Sequence, residues 1–189
     1  MIFNLQGLHL GDALLAMPAM RSGDSVAIGE QHRVPGAPVA WLDAGAGMVP
    51  SPRGHRTSAW LDATGREPVR HQLLPSVDRD LLVIAPDVRL PRKRWHGWDE
   101  LGRRLPAAVW VTASIARAAW MHLLNRAHTV VCPDTGTAHM ADALGCPRVV
   151  GLYGQDFEQF APYWCRDYCV SRDGMARITV DDVMGAVRG

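Results

Sequence analysis

The feature that most constrains this chain is the alternation of short apolar runs with helical stretches between residues 81 and 187. Leu81-Leu82-Val83-Ile84-Ala85 is an uninterrupted apolar run, the pattern of a strand buried on both faces. A helical stretch from Trp98 to Leu105 follows, then strand-like Ala108 to Val111, a long helix from Ile115 to Ala127 and strand-like Thr129 to Cys132. A helix from Thr137 to Leu144, a strand from Arg148 to Leu152, an irregular aromatic segment through Trp164 and a last helix from Val180 to Val187 complete the series. Repeated alternation of this kind predicts a parallel, doubly wound α/β sheet. Ligands of such sheets bind at the carboxyl ends of the strands, so the loops after Ala85, Val111, Cys132 and Leu152 are expected to carry the chemistry.

The first part is less regular. A strand from Ile2 to Leu5, a helix from Asp12 to Met20, strands near Val26-Ala27-Ile28 and Val39 to Leu42, and a helix near Thr57 to Ala63 predict a small α/β unit. The stretches Val34 to Pro38 and Met48 to Gly54 are rich in glycine and proline and read as loops. The expected boundary lies at Leu74 to Asp78, dividing the chain into residues 1–77 and 78–189.

Composition narrows the partners. With 20 basic and 19 acidic side chains the net charge is +1, which argues against a polyanion-binding surface and so against nucleic acid. No apolar stretch approaches the roughly 18 residues of a membrane span, and Met1 to Leu5 lacks the features of a signal peptide, so a cytoplasmic location is expected. Cys132, Cys146, Cys165 and Cys169 have no metal-type spacing and read as free thiols. Lys93 is the only lysine among the 20 basic residues.

Four segments could carry chemistry. Gly11-Asp12 opens the first helix: Asp12 is either a helix N-cap or a carboxylate facing the cleft as a general base. Arg92-Lys93-Arg94-Trp95 lies in a strand-end loop: it is either a solvated cationic run or a site where the lysine ammonium meets a phosphate. Cys132-Pro133-Asp134-Thr135-Gly136-Thr137-Ala138-His139 joins a buried strand to a helix. The amides of Thr135, Gly136 and Thr137 can form an anion site at the helix N-terminus, and the plainer reading makes Asp134 the helix cap and His139 an ordinary helix residue. Tyr153-Gly154, with the aromatic run Phe160 to Trp164, could wall a sugar or base pocket or simply pack.

The string Asn125 to Gly154 closely resembles the C-terminal signature of family 9 glycosyltransferases, the ADP-heptose:lipopolysaccharide heptosyltransferase family. The matching residues are Asp134-Thr135-Gly136, His139-Met140-Ala141 and Ala143-Leu144-Gly145-Cys146-Pro147. Lys93-Arg94-Trp95 is similar to the family's K-R-W-P segment, with His96 in the place of the proline, and Gly11-Asp12 with Leu14 and Pro18-Ala19 to its G-D-x-L-x-x-x-P-A.

The resemblance implies an α/β, GT-B-like architecture: two Rossmann-like halves facing a cleft, the reduced first half presenting the acceptor and the second binding a nucleotide-sugar. It implies inverting, metal-independent transfer of a sugar from a nucleotide-diphospho-sugar, with ADP-heptose as the candidate, to a saccharide or other hydroxyl acceptor, in the setting of lipopolysaccharide biosynthesis. No cofactor and no metal ligand are expected. Asp12 would be the catalytic base. Lys93, Asp134, Thr135, Gly136 and His139 would bind the donor, and Gly11, Arg92, Trp95, Thr137, Tyr153 and Gly154 would border the cleft. The alternative is a non-catalytic nucleotide-sugar-binding module derived from such an enzyme. Val111 to Ile115 resembles the family's segment just before the helix that leads to D-T-G, so one strand–helix unit, which carries an acidic residue for the ribose, is missing.

Overall fold

The computed structural model describes residues 2–4, 14, 16–20, 22, 24–27, 40–42, 55–71 and 73–189. Gly11 and Asp12 lie outside the described residues. The first part contributes three parallel strands in sequence order, β1 (Ile2–Asn4), β2 (Ser25–Ala27) and β3 (Ala40–Leu42). Leu14 and Ala16 are helical, and a 3-10 turn follows at Met17–Ala19. Helix α1 (Arg56–Thr64) stops at Gly65, whose φ of +63° is a left-handed conformation that favours glycine. The Gly65 and Arg66 amides then donate to the carbonyls of Asp62 and Leu61, which closes the helix end in a Schellman motif.

The second part is a five-stranded, all-parallel sheet in the order β5-β4-β6-β7-β8. Its strands are β4 (Leu81–Ile84), β5 (Val109–Trp110), β6 (Ala127–Pro133), β7 (Arg148–Tyr153) and β8 (Val170–Ser171). The longer helices are α2 (Trp98–Arg104), α3 (Arg117–Arg126), α4 (Gly136–Ala143) and α5 (Val180–Arg188), with a single turn at Phe157–Phe160. Alternate strand residues feed two separate cores. Val83, Val130, Cys132 and Val149 pack with Met121 and Leu124 of α3 and Met140 of α4, whereas Ile84, Val131, Val150 and Leu152 pack with Leu101 of α2 and Val183 and Met184 of α5. Helices thus cover both faces, which explains the uninterrupted apolar run at Leu81 to Ala85. Met17, Met20, Trp60 and Leu73 join the first of these cores.

Most elements fall where the sequence pattern puts them. Strand β6 starts two residues before the predicted Thr129, and its pairing with β4 is irregular between Leu81 and Leu82. Helix α3 begins at Arg117 and not at Ile115, because Ala116 is extended. Between Trp164, where the irregular segment ends, and the last helix lies a strand that the sequence pattern did not predict, β8, which extends the sheet through Leu152↔Val170 and Tyr153↔Ser171. All four cysteines are free thiols, and burial pushes each thiol's pKa up. Among the described residues no helix is long and apolar enough to cross a membrane.

Candidate active site

The strand order fixes where a ligand can sit. From β4 the chain moves to one side to form β5 and then returns to the other side to form β6, so the loops after β4 and β6 diverge from a crevice at the carboxyl end of the sheet. The first of these loops holds the 3-10 turn Pro91–Lys93, with the Lys93 amide bonded to the carbonyl of Leu90. The second is Asp134-Thr135, leading into α4.

Lys93 and Asp134 meet across this crevice. The ammonium stands 2.5 Å from Asp134 Oδ2 and donates to the Asp134 carbonyl at 3.2 Å. Asp134 is itself anchored by its backbone amide, which donates to Leu152 of β7 at 3.0 Å. Its side chain is only 7% exposed against 24% for Lys93. Burial pushes the Asp134 carboxyl above its ordinary pKa, and the Lys93 hydrogen bond and charge pull the other way. An ammonium has three donors; Asp134 engages two, and the third can serve a ligand.

The helix beside this pair is capped by Thr135 and not by Asp134: Thr135 is extended and its hydroxyl accepts from the Thr137 amide at 3.3 Å. This corrects the plainer reading of Asp134 as the cap. Gly136, the first helical residue, has no atom within 4 Å of where a Cβ would stand, so a ligand can approach the positive end of the helix closely. Arg92, Gly154, Gln155 and Asp156 complete the depression around Lys93 and Asp134. Among the described residues Asp156 is the only non-glycine with positive φ, at 58°, a conformation that marks strained loop positions.

Two residues expected at the cleft belong elsewhere. Trp95 is buried in the second core, its indole N–H donating to the Ile178 carbonyl at 2.8 Å and its ring edge-on to Trp98. Tyr153 is fully buried, with its hydroxyl donating to the Phe160 carbonyl. Both are scaffold because an indole or phenol that is buried needs a fixed hydrogen-bond partner, and the backbone supplies it inside the fold.

His139 also parts company with Asp134. Three residues into α4 from Gly136, it lines a second, small depression bordered by Met17, Pro18, Arg70, His71, Asp142 and Trp164 among others. His139 is 6% exposed, and its Nδ1 has no hydrogen-bond partner among the described residues. Burial, with lesser contributions from the charges of His55 and Lys93, brings its pKa down to about 3, so the ring is neutral at ordinary pH. Asp142 lies one helical turn further on the same face. It accepts from Arg70 at 3.4 Å and from the Trp164 amide at 3.1 Å, and burial pushes its carboxyl up against these bonds. Sequence reading missed Arg70, His71 and Asp142. The i,i+3 spacing of His139 and Asp142 was the available signal for the last of them. Tyr163 and Trp164, from the aromatic run, do line this pocket.

Residues 111–181 match the model of glycosyltransferase family 9 (heptosyltransferase). The match covers less than half of the chain. It spans β6, α4 and β7, and so contains the Asp134 loop and His139. Over the chain's whole length the fold is that of solved glycosyltransferases. The glycosyl transferase family 9 structure from Veillonella parvula superposes with a TM-score of 0.70 at 11% identity, covering 99% of this chain and 95% of that one. E. coli heptosyltransferase WaaC, solved with ADP-2-deoxy-2-fluoro heptose, gives 0.67 at 13% identity, covering 99% and 98%. The iron-containing dodecameric glycosyltransferase TibC from enterotoxigenic E. coli gives 0.69 at 15%, covering 99% and 74%. No curated protein sequence matches the chain. The family match over residues 111–181 and the α/β, GT-B-like fold shared with these solved structures are what this chain is similar to. Among the described residues no group of three or more His, Cys, Asp or Glu side chains is placed to hold a metal ion.

Proposed function

We propose that the chain transfers a sugar, with inversion and without a metal ion, from a nucleotide-diphospho-sugar to a hydroxyl acceptor. The observation that carries this reading is the Lys93–Asp134 pair at the sheet's switch point, beside the N-terminus of α4. Departure of a nucleoside diphosphate builds negative charge on the bridging oxygen, and a cation with fixed backbone dipoles stabilises such charge best in a crevice. Lys93 uses its remaining N–H, and the amides at Thr135 and Gly136 add the helix's positive end. Asp134, pinned by Leu152, holds the ammonium in place and accepts from sugar hydroxyls as the donor enters. WaaC's solution with an ADP-heptose analogue supports ADP-heptose as the first donor to test.

Asp12 is the general base of this proposal, taking the acceptor hydroxyl's proton as that oxygen attacks the anomeric carbon. The resemblance of Gly11-Asp12 to the family's amino-terminal motif supports the assignment. Residues 1–77 serve the acceptor and residues 78–189 the donor. The test is transfer by Asp12→Asn, followed by mass spectrometry of products. Abolished turnover with donor binding and melting temperature nearly unchanged is the expected result. Transfer at the wild-type rate refutes the base assignment, since a purely capping Asp12 would cost about 1 kcal/mol of stability and leave activity intact. A wild-type protein that binds donor but transfers to no acceptor would instead be the non-catalytic module.

A further inference from the structure

The ammonium of Lys93 is fixed at its tip by Asp134, but it rides on a flexible stem, so its root must be fixed as well. That root lies in the loop after β4. Most of the loop faces water: Arg89, Leu90, Pro91, Arg92, Arg94 and His96 are all exposed. Among the described residues 86–97, Trp95 alone is buried. Its ring is held on three sides. The indole N–H donates to the Ile178 carbonyl at 2.8 Å, Trp98 packs edge-on with ring centres 4.8 Å apart, and Gly97 lies so close that a Cβ there would collide with the ring. Between this anchor and Lys93 stands one residue, Arg94. Its amide donates to the Pro91 carbonyl at 3.0 Å, and the Lys93 amide donates to the Leu90 carbonyl at 3.0 Å. Two successive turn hydrogen bonds leave little slack, so a displacement of Trp95 moves the root of Lys93.

The far end of the anchor braces the opposite wall too. Ile178 follows the 3-10 turn Met175–Arg177 and donates its amide to the Met175 carbonyl at 3.2 Å. It directly precedes Thr179, which exchanges hydrogen bonds with Asp182 in the capping box of α5. At the other end of the same segment the Gly174 amide donates to the Gly154 carbonyl at 3.0 Å, and Gly154 lines the depression with Lys93 and Asp134. Residues 174–178 therefore stand behind both walls. We propose that Trp95 is the positioning residue of this depression: its indole N–H, bonded to Ile178, sets the distance of the Lys93 loop from the Gly154 wall and so keeps the ammonium on Asp134. What the depression binds rests on the nucleotide-sugar reading above; the placement of the lysine does not.

Because Lys93 is the only lysine in the chain, protein grown on isotope-labelled lysine gives one lysine side-chain signal by NMR, which reports the placement without any ligand. Asp134→Asn supplies the reference for a lysine released from its carboxylate. Trp95→Phe keeps a buried ring and removes the N–H, whereas Gly97→Ala keeps the N–H and pushes the ring off its seat. A folding defect in one, seen in its melting curve, leaves the other to decide. In both, the Lys93 signal should move from its wild-type position toward that of Asp134→Asn. ADP affinity, measured by calorimetry in the same proteins, should fall about tenfold in Trp95→Phe. That loss should vanish in a Lys93→Ala background, as a double-mutant cycle requires of a residue that acts through another. An unchanged Lys93 signal in the folded variants, or an equal loss of ADP affinity with and without Lys93, overturns the positioning role. A wild type that binds no ADP while the Lys93 signal moves as expected counts against the nucleotide-sugar reading alone.

Discussion

Asp134 and His139 are five residues apart in one strand–loop–helix segment, yet they serve two surfaces with opposite electrostatic logic. Asp134 sits at the end of β6, paired with a lysine beside a helix N-terminus, in a depression rich in charge. His139 faces the first part of the chain from within α4, neutral and unbonded at Nδ1, in a pocket whose charges are paired among themselves. The difference teaches that a motif contiguous in sequence is not one site. The strand end presents Asp134 to the crevice, and the first turn of α4 carries His139 around to another face.

The sharpest way to break the comparison is to remove the cation from the charged depression alone. Lys93→Ala should reduce kcat/KM for the nucleotide-sugar by about 100-fold, the scale of losing one preorganised donor to developing negative charge. Lys93→Arg should fall between this variant and the wild type, because a planar fork does not replace a compact ammonium fitted to one phosphate oxygen. Steady-state kinetics of both variants check the prediction, and wild-type values for Lys93→Ala would remove the depression from the mechanism.

A smaller effect is expected from the wall of the same depression. A Cβ on Gly154 would stand 2.6 Å from the Met175 backbone nitrogen and 3.1 Å from the Gly174 carbonyl carbon, so backbone must move to admit it. Gly154→Ala should therefore cost about 1–3 kcal/mol, read as a lower urea midpoint, and distort the Lys93 side more than the Trp164 side.

The pH dependence of stability isolates the neutral pocket. His139 has a folded pKa of about 3 against about 6.5 in an unfolded chain. Between those values the unfolded state binds the extra proton, so stability falls as pH drops from about 6.5 toward 3, by up to about 1.4 kcal/mol per pH unit from this residue. Asp134 and Asp142, whose carboxyls are raised, act with the opposite sign: their contribution is lost as pH rises through their folded values. The informative quantity is therefore the difference between wild type and His139→Phe in urea denaturation at several pH values. The variant should lose less stability on acidification, and an identical slope would mean that His139 is protonated in the folded protein.

Much of the fold was legible because apolar periodicity is set by burial. Strands covered on both faces produce continuous runs such as Leu81 to Ala85, and helices between them produce the alternation that forces a parallel sheet. Strand β8 was not legible because two residues carry no period. The meeting of Lys93 and Asp134 was legible in part, since both lie in loops at strand ends where topology alone predicts ligands. Trp95 and Tyr153 were misplaced because proximity in sequence to a site residue does not say which way a side chain turns. Trp95 follows Lys93 by two residues, yet it reaches Ile178 through the core. The His139 pocket was only half visible: its aromatic wall showed in the run Phe160 to Trp164, whereas Arg70 and His71 come from a loop whose partners are set by tertiary packing.

The central claim is that the crevice at Lys93 and Asp134 holds the diphosphate of a sugar donor. It is tested most directly by thermal unfolding of wild type and Lys93→Ala with ADP-, UDP-, GDP- and CMP-sugars. A donor at about 100 times its Kd adds roughly 2.7 kcal/mol to the native state by mass action, a rise in Tm of several degrees for a chain of this size. The account predicts that rise in the wild type for one nucleotide class and its near-complete loss in Lys93→Ala. An equal shift in both proteins, or none with any donor, would contradict it.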